Sequence, residues 1–274
     1  AEKQFLVEDF IPDRTEFDLS TQAKSIAPGA PAAIELAGRF LYGAPAADQA
    51  LEGEMRLRTE RQRAEAPGYQ FGLADEEDEG ATIIPLADLG RTDADGKATF
   101  DVAVGTPPAT TRPLAADIVV RMREDGGRAV ERVITLPVLP QGPMIGVRPE
   151  FGDGQVAENS TARFRVIALD SSGARVDLNG LAWTLYRIDR HYQWYRDGSY
   201  WEYEAVEIPQ EVASGTVDAS AASEAQIQSA VGWGRYRLDV ESETADGPAT
   251  SVLFDAVFFN DTATTETQFF CENG

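Results

Sequence analysis

Few residues in this 274-residue chain could do chemistry on their own. There is one histidine, His191, and one cysteine, Cys271. A single imidazole leaves no partner set for a histidine-based triad and no multi-histidine metal site; lying among aromatic residues, it reads as a surface or packing group. A lone cysteine rules out an internal disulfide framework and a multi-cysteine metal site. Its context, Phe270-Cys271-Glu272-Asn273 near the end of the chain, gives a nucleophile or thioester donor no framework. No G-x-S-x-G, H-E-x-x-H, phosphate-binding loop or dinucleotide fingerprint occurs. The 46 acidic residues show no spacing that selects an acid–base pair. Asp93 and Asp95 have the opening of a calcium loop, but Val104 stands where the last acidic ligand belongs, so the stretch reads as a turn. The acidic run from Asp75 to Glu79 reads as a solvated loop. No catalytic residue, cofactor or metal site is expected.

The one dense constellation is aromatic. Leu181 to Tyr203, LAWTLYRIDRHYQWYRDGSYWEY, holds three of the four tryptophans in a chain that is 9% aromatic. Asp197-Gly198 suits a tight turn between two arms, so the stretch reads as one long hairpin. Tyr192, Trp194, Tyr195, Tyr200 and Trp201 are the candidate partner or inter-domain contact. Alternate rings are expected to cover the domain's own core or a neighbouring domain. The other reading is an exposed stacking platform for a sugar ring or a protein partner.

The elements that position this hairpin follow a period of two. Ile34, Leu36 and Phe40 suit one strand face with an irregularity around Gly38; Met55 and Leu57 alternate with solvated Arg56 and Arg58; Ala98, Phe100, Val102 and Val104 repeat the pattern. LAADIVVRMREDGGRAVERVITLPV is a hairpin turning at Asp125-Gly126-Gly127. Pro137, Pro140, Gly142 and Pro143 can neither pair fully in a sheet nor continue a helix, which puts a domain boundary there, the first domain ending near Leu139. Beyond it Phe164, Val166 and Ala168 face one way. AASEAQIQSA is ambiguous between helix and loop, and Trp233, Tyr236, Leu238 and Val240 are expected on a core face with Gly234 shifting the register. About seven strands per half, short and evenly spaced with almost no amphipathic helix, predict an all-β chain of two tandem antiparallel seven-stranded β-sandwiches.

The formal charge of −22 disfavours nucleic acid and an anionic membrane surface as partners. No apolar run approaches the roughly 18 to 20 residues a membrane helix needs. AEKQFLVEDF lacks the regions of a signal peptide, so either the chain is cytoplasmic or a targeting segment lies upstream or has been removed.

VEDFIPDRTEFDLS and SIAPGAPAAIELAGRFLYGAPAADQALEGEMRL, with Pro28-Gly29, Gly38, Leu41-Tyr42-Gly43-Ala44-Pro45 and Pro67-Gly68-Tyr69, resemble the fifth macroglobulin-like domain of bacterial alpha-2-macroglobulins. IGVRPEFGDGQVAENSTARFRVIALDSSG, the aromatic hairpin and WGRYRLDV resemble the domain that follows it. The likeness covers roughly residues 5 to 258. It implies macroglobulin or fibronectin III-like sandwiches at 1–140 and 143–258, the second bearing the hairpin 181–203. It also implies a large, multi-domain, periplasmic or otherwise extracytoplasmic parent, often lipid-anchored to the inner membrane, that traps proteases after they cut a bait region. Cys271-Glu272-Asn273 departs from the family's Cys-x-Glu-Gln thioester motif, and the bait region is expected after the last strand. The final FNDTATTETQFFCENG, residues 259–274, looks like translated adapter sequence and reads as a non-native or disordered tail. The expected role is a non-catalytic scaffold. Its partners would be the neighbouring macroglobulin and bait-region domains and, through the full-length protein, target proteases, with no cofactor, nucleic acid or membrane contact of its own. The alternative is an extracytoplasmic module that binds carbohydrate or protein through the aromatic hairpin.

Overall fold

The computed structural model describes residues 14–78, 80–123, 128–197, 200–244 and 247–258, without the side chains of 192–195, 197 and 201–205. Asp125-Gly126-Gly127, the hairpin tip at Gly198, and residues 259–274 with Cys271 lie outside the described residues.

Alternation along the chain builds the first sandwich. One sheet is β1 (Thr15–Ser20), β2 (Ala32–Phe40) and β6 (Lys97–Val102), in that order. The other runs β5 (Thr82–Leu86), β3 (Ala50–Thr59), β7 (Leu114–Arg123), β8 (Ala129–Val138), and every pairing in the two sheets is antiparallel. In β2 the buried Ala32, Ile34 and Leu36 alternate with exposed residues, and no register shift occurs at Gly38. Gly38 is small for a different reason: a Cβ there would lie 3.0 Å from Met122 Sδ and 3.4 Å from Ala46 Cβ. Its N–H donates to Gly96 O at 2.8 Å, and Gly96, whose φ is +75°, is itself confined, since a Cβ on it would lie 2.3 Å from Gly38 O. The two sheets enclose Phe17, Ile34, Leu36, Met55, Leu57, Ile118 and Met122. Burying a side chain of this size contributes about 1.5–3 kcal/mol. Arg56 and Arg58 lie on the outer face, Arg56 bound to Glu54 and Arg58 to Asp117 at 2.8 Å.

The second sandwich has one sheet of β14 (Ala225–Val231), β11 (Ser160–Leu169), β9 (Met144–Pro149) and the short β4 (Gln70–Phe71), which comes from the first half of the chain. Facing it are β10 (Gln155–Ala157), β16 (Ala249–Val257), β15 (Gly234–Ser242), β12 (Leu178–Asp197) and β13 (Tyr200–Ala219). Pairing is antiparallel except where β10 runs parallel to β16. The protein is thus all-β, two tandem antiparallel sandwiches, with β4 an extra strand lent across the boundary. Phe164, Leu181, Leu185, Tyr236, Leu238 and Phe254 fill the second core, the rings of Phe164 and Phe254 meeting edge-on at 5.3 Å.

Two local expectations are corrected. AASEAQIQSA is loop only over its first four residues; from Ala225 it is strand, where β14 buries Ile227 and Val231 against β11, so period-2 burial overrides the helix preference of Ala and Gln. Trp233 does not face the core. Tyr236, Leu238 and Val240 do, and stepping back by two puts Gly234 inward and Trp233 outward, where it is 71% exposed. Gly234, at φ +145°, absorbs the turn and leaves the register intact.

The hairpin is as long as expected. β12 and β13 each run 20 residues, but β15 pairs only with the Leu181–Ile188 part of β12, so the remainder projects as a two-stranded ribbon. Among its residues, β13 at the sheet edge has only acidic charges, and it contains Pro209; both discourage edge-to-edge pairing.

Candidate functional site

The segment between β3 and β5 leaves the first sandwich and docks on the second. Phe71 N–H donates to Arg61 O at 2.9 Å, closing a loop that turns at Gly68, φ +82°. The chain then joins β9, pairing Phe71 with Gly146. A Cβ on Gly146 would lie 2.9 Å from the Phe71 ring, so the missing side chain makes the seat for that ring. Phe71, Tyr69 and Ala66 bury themselves against Met144, Ile167 and Leu169, a third core made jointly by both halves. β11 is therefore covered on both faces, Val166 and Ala168 by their own sandwich and Ile167 and Leu169 by the visiting loop.

Hydrogen bonds fasten the same seam. Gly72 N–H donates to Thr250 Oγ1 at 3.0 Å, and that hydroxyl donates onward to Ile145 O at 2.6 Å. Ser251 N–H donates to Gly72 O at 3.1 Å, while Ser251 Oγ accepts from Ala74 N–H at 2.6 Å. Arg61 Nη2 reaches Ser251 O at 2.6 Å. Thr250 and Ser251 are buried, so each lost partner would leave a desolvated polar group.

Charge closes the rim. Arg237 pairs with Asp75 of the first half at 2.7 Å, lies 3.0 Å from Asp239, and sits 5.4 Å over the Tyr186 ring. Burial, reinforced by Asp75 and Glu241 and opposed by Arg237, pushes the Asp239 carboxyl up. Across the seam the Arg148 guanidinium lies 4.8 Å over the Tyr69 ring and 3.1 Å from Glu224, which Arg175 also holds at 3.0 Å. The Tyr69 hydroxyl, buried beside Glu224 without a well-aligned hydrogen bond, is pushed up to about 12 by burial and by that carboxylate. Burial works against Glu224's ionisation, yet the Tyr69 hydroxyl and the two arginines hold it below the usual carboxylate range. Glu76, bonded to Thr110 and Thr111, is likewise lowered in spite of burial. The acidic run thus begins as a latch, with Asp75 gripping the second domain and Glu76 the first, rather than as a wholly solvated loop.

Of the hairpin's rings, Trp183 packs half-buried on the second core, Tyr186 lies beneath Arg237, and Tyr200 is 77% exposed. The side chains of Tyr192, Trp194, Tyr195 and Trp201 lie outside the described residues; the backbone pairs Trp194 with Tyr203 and Arg196 with Trp201. His191 is exposed on the same ribbon. Among the described residues no three His, Cys, Asp or Glu side chains converge on a metal-sized site. Arg61, Phe71, Gly72, Thr250 and Ser251 were not singled out by sequence reasoning, and Asp75 was read only as the start of a solvated loop. Two signals pointed at the seam: the lost alternation around Pro67-Gly68-Tyr69, and the unbroken apolar run Val166–Leu169, which marks a strand buried on both faces.

Residues 13–140 match the family described as "Bacterial Alpha-2-macroglobulin MG5 domain", and residues 146–258 match "Bacterial macroglobulin domain 6". The chain belongs to the bacterial alpha-2-macroglobulin family. It is 31% identical over 238 residues to an alpha-2-macroglobulin of Xylella fastidiosa strain 9a5c, covering 85% of this chain and 14% of that protein. To the Escherichia coli K12 alpha-2-macroglobulin it is 28% identical over 258 residues, covering 87% and 15%. Among solved structures, Salmonella alpha-2-macroglobulin reacted with methylamine superposes with a TM-score of 0.70 at 28% identity, over 91% of this chain and 17% of that one. The native conformation of Escherichia coli alpha-2-macroglobulin gives 0.67 at 26% identity, over 94% and 17%. The chain spans about one seventh of the length of its curated relatives.

Proposed function

We propose that this two-domain unit is a non-catalytic, rigid piece of the frame of a bacterial alpha-2-macroglobulin, a protein that traps proteases outside the cytoplasm once they have cut its bait region. Its immediate partners are the neighbouring domains of the longer protein, and proteases are met only through the whole. One observation carries the reading: the first domain lends β4 and a shared buried core to the second, so the joint resists bending as a sheet does and not as a linker does. A frame that holds capture domains apart needs such a joint, because a load applied to one domain must reach the next.

The test is residual protease activity on a large protein substrate after adding this chain to a trypsin-like or elastase-like protease. The frame reading expects full activity at equimolar chain; stoichiometric loss of activity overturns it.

A further inference from the structure

The long hairpin begins with a slip in its pairing. Leu178 pairs with Ala219 and Leu181 with Val217, so Asn179 and Gly180 together face a single residue, Asp218. A bulge of this kind favours a glycine in the left-handed region, and Gly180 has φ +68°. With the ladder interrupted, Gly180 N–H donates to Asp218 Oδ1 at 2.8 Å. The carboxylate of Asp177, two residues before Asn179, is instead occupied by Ala221 N–H at 2.7 Å. Asn179 is exposed, and its side-chain amide makes no hydrogen bond among the described residues.

An asparagine followed by glycine can react with its own backbone. The nitrogen of the next residue attacks the side-chain carbonyl carbon, and glycine has no Cβ to obstruct that approach. A Cβ at Gly180 would meet nothing within 4 Å, so the space beside this peptide is open. A peptide nitrogen is a poor nucleophile until its proton is removed. Here a carboxylate oxygen already accepts that N–H at 2.8 Å, the position a general base needs. Asn159 provides the contrast within the same chain: it is exposed too, but Ser160 follows it, carries a Cβ, and is paired with Val231 in the β11 ladder.

We propose that Asn179 is a self-modifying site, converted through a cyclic imide to aspartate and isoaspartate with Asp218 as the base. The Gly180 nitrogen bonds to Asn179 Cγ and gives its proton to Asp218 Oδ1. The Cγ–Nδ2 bond then breaks, and Nδ2 leaves as ammonia, taking that proton with it. Water adds to either carbonyl of the imide and opens it, giving aspartate or, with the main chain rerouted through Cγ, isoaspartate; no electrons are gained or lost. Either product sets a second carboxylate opposite Asp218, and isoaspartate lengthens the main chain just before the core residue Leu181. The test incubates the folded 274-residue protein in mildly alkaline buffer and digests it with trypsin. Residues 176–187 form a peptide in which Asn179 is the sole asparagine, and its amide, acid and isoaspartyl forms are quantified by chromatography and mass spectrometry. Amide loss at Asn179 is expected several-fold faster than at Asn159. It is expected several-fold slower in Asp218→Asn, whose side-chain carbonyl can still accept the Gly180 N–H but cannot take its proton. In urea, where residues 179 and 218 no longer face each other, parent and variant should lose the amide at the same rate. Loss at Asn179 no faster than at Asn159 in the folded protein, a variant as fast as the parent or faster, or a difference that persists in urea overturns the proposal.

Discussion

Cutting Phe71 to alanine should destabilise a domain to which, by chain order, it does not belong. Phe71 is fully buried, and its ring lies on Gly146 of β9 and against Ile167 of β11. Deleting a buried phenylalanine costs about 3–5 kcal/mol. Tyr69, Met144, Ile167 and Leu169 of the same cluster can relax into part of the gap, so the lower end, about 3 kcal/mol, is taken for this site. For a domain of this size that corresponds to a midpoint roughly 10 °C lower. All four tryptophans, Trp183, Trp194, Trp201 and Trp233, lie in the second half, so intrinsic fluorescence reports on the second sandwich alone. Gly146→Ala approaches the same contact from the other side, placing a methyl 2.9 Å from the ring, an overpacking that costs about 1–3 kcal/mol. In the double variant the clash with the ring disappears and only the 3.0 Å approach to Ile167 Cγ1 remains, so the two effects should fall short of additive by about 1 kcal/mol or more. An unchanged tryptophan-detected midpoint in Phe71→Ala, or strict additivity in the cycle, would refute the account of the seam.

Other outcomes follow from the same geometry. Ser251→Ala leaves the Ala74 N–H without its acceptor and should cost about 1–2 kcal/mol in the fluorescence-detected transition. Glu76, Glu224 and Asp117 all have lowered pKa values in the fold, so their contribution is present above the ordinary carboxylate range and is lost as pH falls through their depressed native values. Stability measured by urea titration should therefore drop steeply below about pH 4, and more gently in a Glu224→Gln variant. Asp239 has the opposite sign. Its raised native value means that the folded state holds the proton more readily, so its contribution is best in acid and falls as pH rises through that value. An Asp239→Asn variant should gain stability relative to the parent as pH is taken from acid to neutral, with Arg237 kept in place by Asp75; a difference independent of pH would show that the carboxyl is not desolvated. Spin labels on the two sandwiches should give one narrow distance distribution, and a broad or bimodal one would show that the seam flexes.

Much was legible from residue order because period-2 burial is a local property. Ile34 and Leu36, Met55 and Leu57, and Tyr236, Leu238 and Val240 each declare a strand face by spacing alone, and the ring-dense arms at 181–203 declare a hairpin. Trp233 was misplaced because a glycine next to a turn can either shift a register or absorb the bend, and only the backbone at Gly234, φ +145°, shows which. β14 was missed because Ala and Gln favour helix in isolation, and the partner strand that overrules them is about sixty residues away.

The sequence by itself determined the all-β class, the tandem sandwiches and the family, since alternation, turn residues and motif strings are written along the chain. Only the tertiary structure decided that the two sandwiches share a strand and a core. Phe71 and Gly146, or Asp75 and Arg237, are far apart in sequence, and the size of Gly146 acquires meaning only when the ring that needs the space is set against it. The same holds for Asn179 and Asp218, which lie far apart along the chain and face each other only through the slip in pairing between β12 and β13.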